Sequence, residues 1–92
     1  MDTKKHSVVI TAYEYDVLRK NSMISMACAW LFPLAIEHDD DVELVVTLGE
    51  LTELIGFVAA EANHARSKRK SEDLNDICDY LESIEQDIKR QG

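Results

Sequence analysis

With 92 residues, the chain can bury one modest core, and its size excludes a separate catalytic domain beside a binding domain. Its 46% apolar and 30% charged residues are the composition of a globular protein and exclude wholesale disorder. The formal net charge of −8 argues against direct nucleic-acid binding and against anionic membranes, both of which require a basic footprint. The same charge favours encounter with basic surfaces.

Residues 1–6 and 91–92 read as loose ends of a single domain spanning 1–92. The start carries Lys4, Lys5 and His6 and is followed by too few apolar residues for a secretory signal. Residues 7–10 read as a short β-segment, after which Thr11 opens a Thr-x-x-Glu phrase. That phrase occurs twice, 36 residues apart: Val9-Ile10-Thr11 with Glu14 and Leu18, and Val45-Val46-Thr47 with Glu50 and Leu54. Thr-x-x-Glu ahead of an apolar run is a capping box. The Thr hydroxyl and the Glu carboxylate each take one of the N–H groups left unbonded at a helix start.

The first helix is predicted over 12–32. At about 100° per residue its core stripe is Tyr13, Val17, Ile24, Cys28 and Leu31. Pro33 ends it, and Asn21-Ser22 is the place where it can bend or split. The longest apolar run, 23–36, is broken by Ser25 and Pro33, and its 14 residues are too few to span a bilayer. Cys28 and Cys78 fall at apolar helical positions, with no Cys-x-x-Cys pair and no Cys–His spacing. They read as buried thiols of a reducing, cytoplasmic compartment.

Residues 37–41 form an acidic loop, and 43–46 a second β-segment. A helix capped by Asp41 that absorbs 42–46 is the competing reading. Val45 and Val46 are poor helix formers, and the repeated phrase favours a strand. Two strands of about four residues are marginal alone, so they need helices to pack on or pairing across a dimer. The second helix is predicted over 48–65, with Leu48, Leu51, Ile55, Val58, Ala59 and Ala62 facing the core. A second strip of Gly49, Gly56 and Ala60, with Phe57 beside it, is expected to admit close approach of a neighbouring helix.

The connector 64–70 carries Arg66, Lys68, Arg69 and Lys70. These cations are expected to offset the negative end of the second helix and to pair with nearby carboxylates. Ser71 is the predicted cap of a third helix over 72–90, whose apolar positions are Leu74, Ile77, Cys78, Leu81, Ile84 and Ile88. Their three–four spacing suits an antiparallel hairpin with the second helix. The expected fold is therefore mainly α: a small three-helix domain with that hairpin and two short β-segments preceding the first and second helices.

Chemical motifs are sparse. Glu61-x-x-His64 has the spacing with which di-iron bundles place two ligands on one helix, but His64 falls opposite the core face. A metal-dependent enzyme built on Glu61 and His64 is the third-ranked reading. Residues 37–41 lack the ligand spacing of a calcium loop. There is no Gly-x-Ser-x-Gly, and three glycines cannot build a phosphate-cradling loop. No catalytic residue, metal or other cofactor is expected.

Two surfaces stand out instead. The latter half of the first helix is apolar nearly all round, showing Met23, Met26, Ala27 and Trp30 outside its core stripe. With Phe57, these residues suit a protein contact, including a homodimer. The third helix carries Asp73, Asp76, Asp79, Glu82 and Glu85 at every third position. Such a row winds slowly round the helix at about 300° per step, loosely like a phosphate track. The leading expectation is a non-enzymatic protein that binds another protein, one with a basic surface or a second copy, through Met23, Met26, Trp30 and Phe57. The alternative is a nucleic-acid-mimic inhibitor that sets Asp73, Asp76, Asp79 and Glu82, with Asp39-Asp40-Asp41, against a basic groove.

Overall fold

Buried and exposed side chains alternate along the two segments that lead into the doubled phrase, and this alternation decides how the chain pairs with itself. The computed structural model describes residues 3–91. In chain order it contains β1 (Lys5–Thr11), α1 (Ala12–Lys20), α2 (Ser22–Ala27), a 3-10 turn (Phe32–Leu34), β2 (Ile36–His38), β3 (Asp41–Thr47), α3 (Leu48–His64) and α4 (Lys68–Gln91). The strands form one antiparallel sheet in the order β1-β3-β2. Four helices over a three-stranded sheet make an α+β fold, which corrects the expected mainly-α three-helix domain with two β-segments.

Val8 and Ile10 on β1 and Val42, Leu44 and Val46 on β3 are buried, while the residues between them are not. Period-two burial of this kind fixes register, because a slip of one residue would turn every apolar side chain to water. The observed register runs from Lys5↔Thr47 to Thr11↔Asp41. Pairing is thus within the chain, and of the two supports expected for marginal strands the structure supplies the first, helices to pack on. The buried face joins Leu18, Ile24, Cys28, Leu31, Leu51, Leu54, Val58, Leu74, Ile77 and Leu81 in one core.

β2 is the strand that the sequence does not announce. Its three residues are all exposed, so it carries no burial pattern, and its acidic flank reads as loop. A tight reversal at Asp39-Asp40 pairs His38 with Asp41. Asp39 adopts φ 50°, a left-handed conformation that Asp tolerates better than most residues.

Both capping boxes form. The Thr11 Oγ1 accepts from the Glu14 N–H at 3.1 Å while the Glu14 carboxylate accepts from the Thr11 N–H at 2.8 Å. The second box repeats this at 3.1 and 2.9 Å with Thr47 and Glu50. Because the strands are antiparallel, the two boxes lie at opposite ends of the ribbon, and α1 and α3 leave the sheet from opposite ends.

The first predicted helix breaks in two at Asn21 and stops at Ala27. Asn21 has extended backbone, with φ −77° and ψ 114°, and its side-chain oxygen accepts from the Ile24 N–H at 3.0 Å. An Asn that satisfies a helix N-terminus favours a new start over continuation. The break resets the helical phase, which corrects the core stripe: Leu18 is buried, Val17 is half-buried and Tyr13 is exposed. α4 likewise begins earlier than expected. Ser67 Oγ accepts from the Lys70 N–H at 3.1 Å and serves as the cap expected at Ser71, whose hydroxyl instead donates to the Ala62 carbonyl. Pairs Thr52–Glu85 and Ala62–Ser71 show that α3 and α4 run antiparallel, as the spacing predicted.

At the ends, Lys5 and His6 belong to β1 and Gln91 is the last residue of α4. Met1, Asp2 and Gly92 lie outside the described residues. Among the described residues no helix is long and apolar enough to cross a membrane.

The small-residue strip on α3 is not a packing seam. Gly56 is exposed, and a Cβ built there meets nothing within 4 Å, which corrects the expectation of a close helix approach. Gly56→Ala therefore removes only unfolded-state freedom. It is expected to stabilise the protein by about 0.5–1 kcal/mol, a rise of roughly 2–8 °C in calorimetric Tm for a domain of this size.

Candidate functional site

Three surfaces bring chemistry-bearing side chains together, and the Asn21 break helps position two of them. α2 is only one and a half turns long. With Ile24 buried beneath it, Met23 and Met26 are turned outward, at 52% and 79% exposure. Trp30 and Phe57 are half-buried and pack against the core. The four predicted contact residues therefore separate into an exposed methionine pair and two aromatics that belong largely to the interior.

The acidic row of α4 divides in the same way. Asp73 accepts from the Tyr13 hydroxyl, Glu82 accepts from Cys78 Sγ at 3.2 Å, and Glu85 is buried, accepting from the Thr52 hydroxyl with Lys89 at 3.8 Å. The slow winding of the row carries Glu85 into the α3–α4 interface, so the exposed part consists of Asp76, Asp79 and Glu82.

Other carboxylates join them from a distance in sequence. Glu14, Asp73 and Asp76 line a shallow pocket of about 290 Å³ together with Thr11, Tyr13 and Ile77. Next to it the Tyr80 hydroxyl donates to the Val9 carbonyl at 2.6 Å, covering part of the open edge of β1. Burial pushes the Tyr80 phenol above its ordinary pKa, and the charges of Glu14 and Asp41 push it further. Asp39, Asp40 and Asp41 are exposed on the hairpin, which is held to the start of α1 by the Ala12 N–H donating to the Asp40 carbonyl at 2.7 Å.

The third surface is a groove of about 370 Å³ between the end of α1 and the start of α4. Lys20, Arg69 and Lys70 supply its positive charge and Asp73 one negative charge, and Tyr13, Val17 and Leu74 form its apolar lining. A second depression of about 260 Å³ shares Asn21, Ser67, Lys70 and Leu74 with it and adds Glu61, Ala65 and Arg66. The connector was expected to pair with neighbouring carboxylates, and Lys68 forms such a pair while Arg69 is influenced by the charge of Asp73. Lys68 approaches Glu72 at 4.0 Å, and Arg69 lies against the Tyr13 hydroxyl and Asp73, which raise its pKa above the usual guanidinium value. Lys20, Arg66 and Lys70 make no ion pair among the described residues. The connector itself is legible in sequence, whereas the arrival of Lys20 beside it depends on where α1 stops.

The Glu61-x-x-His64 pair does not assemble into a cage. Glu61 accepts from the Asn21 side-chain amide at 3.1 Å, and His64 is exposed at the end of α3. Among the described residues no group of three or more His, Cys, Asp or Glu could hold a metal ion.

Both cysteines are free and buried. Burial raises the Cys28 pKa, with a further contribution from Glu53. For Cys78, burial and the bond to Glu82, followed by the charges of Glu82 and Asp79, push the thiol up to about 12.

Comparison of the chain with family models, with curated proteins and with solved structures finds no match. Neither thiol has the low pKa and access of a reactive cysteine. A thiol reagent at pH 8 is expected to label Cys28 and Cys78 only after denaturation, as read by mass spectrometry. Rapid labelling of the native protein at either position would contradict this description of the core.

Proposed function

We propose that this protein works by binding another protein through the outward face of α2, with a second copy of the chain as its first partner, and that it is not an enzyme. The observation that carries this reading is the exposure of Met23 and Met26, at 52% and 79%. The apolar half of the first helix could have been covered by the strands and by the loop after Pro33. Ala27 and Trp30 are covered in part and the two methionines are not. Three residues apart on one helix, they are neighbours, and their unbranched thioether chains adapt to irregular partner surfaces. Two buried free thiols suit a reducing, cytoplasmic setting, and their raised pKa values leave them unsuited to nucleophilic work.

A second reading is favoured by a different observation. Carboxylates from α1, β3 and α4 gather beside Tyr13 and Tyr80, a field suited to a basic partner even though Glu85 is withdrawn from the row. Binding through this face would weaken steeply with salt, whereas binding through the methionines would change little.

Sedimentation equilibrium tests the leading reading. Wild-type protein is expected to self-associate below roughly 100 µM, an affinity of about 5.5 kcal/mol. Met26→Glu is expected to yield monomer with Tm changed by no more than ~1 °C, since so exposed a side chain carries little folding energy. Monomeric wild-type protein at all concentrations, or self-association unchanged by Met26→Glu, would overturn it. If only salt-sensitive binding to a basic partner is found, and Asp76→Asn with Asp79→Asn abolishes it, the acidic-face reading takes its place.

A further inference from the structure

The chain has 18 acidic and 10 basic residues, so carboxylates are in excess and the placement of a cation that pairs with none is informative. We propose that the groove between α1 and α4 binds a small phosphorylated organic molecule. Lys20 and Lys70, with Arg69, would hold the phosphate, and Tyr13, Val17 and Leu74 would hold an apolar or aromatic body.

Three features of the groove support this assignment. The first is charge: Lys20 and Lys70 line the cavity and Arg66 lies in the adjoining depression, yet none of these three forms an ion pair among the described residues. Lys20 is 50 residues from Lys70 in the sequence, so the fold creates their proximity. Two cations on one cavity attract a dianionic group more strongly than either does alone. Several cations converging on one cavity suit a phosphate monoester better than a single carboxylate, and Arg69 offers a planar donor fork for its oxygens.

The second feature is shape. At about 370 Å³ the groove falls within the ~300–1,000 Å³ of small-molecule sites. Its lining combines an aromatic ring and two aliphatic side chains with six polar or charged residues, so an apolar body has a surface to rest on and polar groups to orient it. The third is rigidity. Asn21 is fixed by its cap on Ile24 and by Glu61, Ser67 by its bond from the Lys70 N–H, and Tyr13 by Asp73. Asp73 lies at the same groove and would repel a bare anion. A ligand whose body carries a hydrogen-bond donor turns that carboxylate into a contact, which favours an organic phosphate over the inorganic ion. The groove shares no lining residue with the Met23–Met26 face, so this inference stands apart from the proposed protein contact.

Adenosine monophosphate, adenosine and inorganic phosphate serve as probes in an NMR titration of the full chain at constant ionic strength. Saturable binding of adenosine monophosphate with shifts centred on Tyr13, Val17, Lys70 and Leu74 is expected, with adenosine and phosphate each at least about tenfold weaker. Lys20→Glu and Lys70→Glu, both at exposed positions, are each expected to weaken the complex about tenfold or more while leaving the spectrum of the sheet unchanged. Either charge reversal leaving the affinity intact would overturn the proposal. So would shifts scattered over unrelated cations such as Lys5 and Arg90, phosphate binding as tightly as the nucleotide, or no saturation by any probe.

Discussion

The antiparallel pairing of β1 with β3 is the constraint from which the rest of the molecule follows. It is held on one face by Val8, Ile10, Val42, Leu44 and Val46. On the other face Glu43 accepts from the Ser7 hydroxyl at 2.7 Å and lies 3.3 Å from the His38 ring nitrogen. These bonds, that from Ser7 first, hold the Glu43 carboxyl below its ordinary pKa, and they tie all three strands through one side chain. With Thr11 opposite Asp41 and Thr47 opposite Lys5, the ribbon launches α1 and α3 from its two ends. α4 then returns along α3 and reaches the open edge of β1 with Tyr80. The repeated phrase is best understood as one solution to starting a helix from a strand, used once at each end of the same ribbon.

Asn21 is the second determinant. Had the first helix continued through it, the apolar side chains of 22–31 would have kept the phase of Leu18, and Met23 and Met26 would occupy other angles. By capping a new helix on Ile24 and reaching Glu61 with its amide, Asn21 turns the methionines outward and leaves the end of α1, with Lys20, beside the start of α4. The exposed apolar ridge and the basic groove thus share a cause. The acidic face has a different one: the hairpin at Asp39-Asp40 is drawn to the start of α1 by the Ala12–Asp40 bond, which sets its carboxylates near Glu14.

Local signals with a clear mechanism are legible in the sequence. Both capping boxes, the ends of the β-segments nearest them and the antiparallel α3–α4 hairpin follow from Thr-x-x-Glu chemistry and from helical periodicity. What is not legible depends on tertiary context. β2 has no buried residue to mark it, and it exists because β3 offers a free edge. The side-chain oxygen that makes Asn21 a helix break is equally compatible with a gentle bend until Ile24 is anchored in the core. Gly56 and Ala60 share a strip at the right spacing, but no element comes to lie against it. The acidic row shows the same limit, since its winding is evident from spacing alone whereas the burial of Glu85 beside Thr52 depends on where α3 lies. Lys20 joins the groove only because α1 stops where it does.

The pairing itself is open to direct measurement. The Tyr80 hydroxyl takes the Val9 carbonyl on the outer edge of β1, so Val9 and Glu43 form a pair without mutual hydrogen bonds, and Ser7 and Val45 form the next such pair. Pairs of this kind bring their α-carbons to about 4.5 Å and give strong contacts between their α-protons. A nuclear Overhauser spectrum of the full chain should show strong Hα–Hα peaks for Val9–Glu43 and for Ser7–Val45. Peaks displaced by one residue, or the absence of any contact between residues 5–11 and 41–47, would contradict the register on which both helix starts and every surface described above depend.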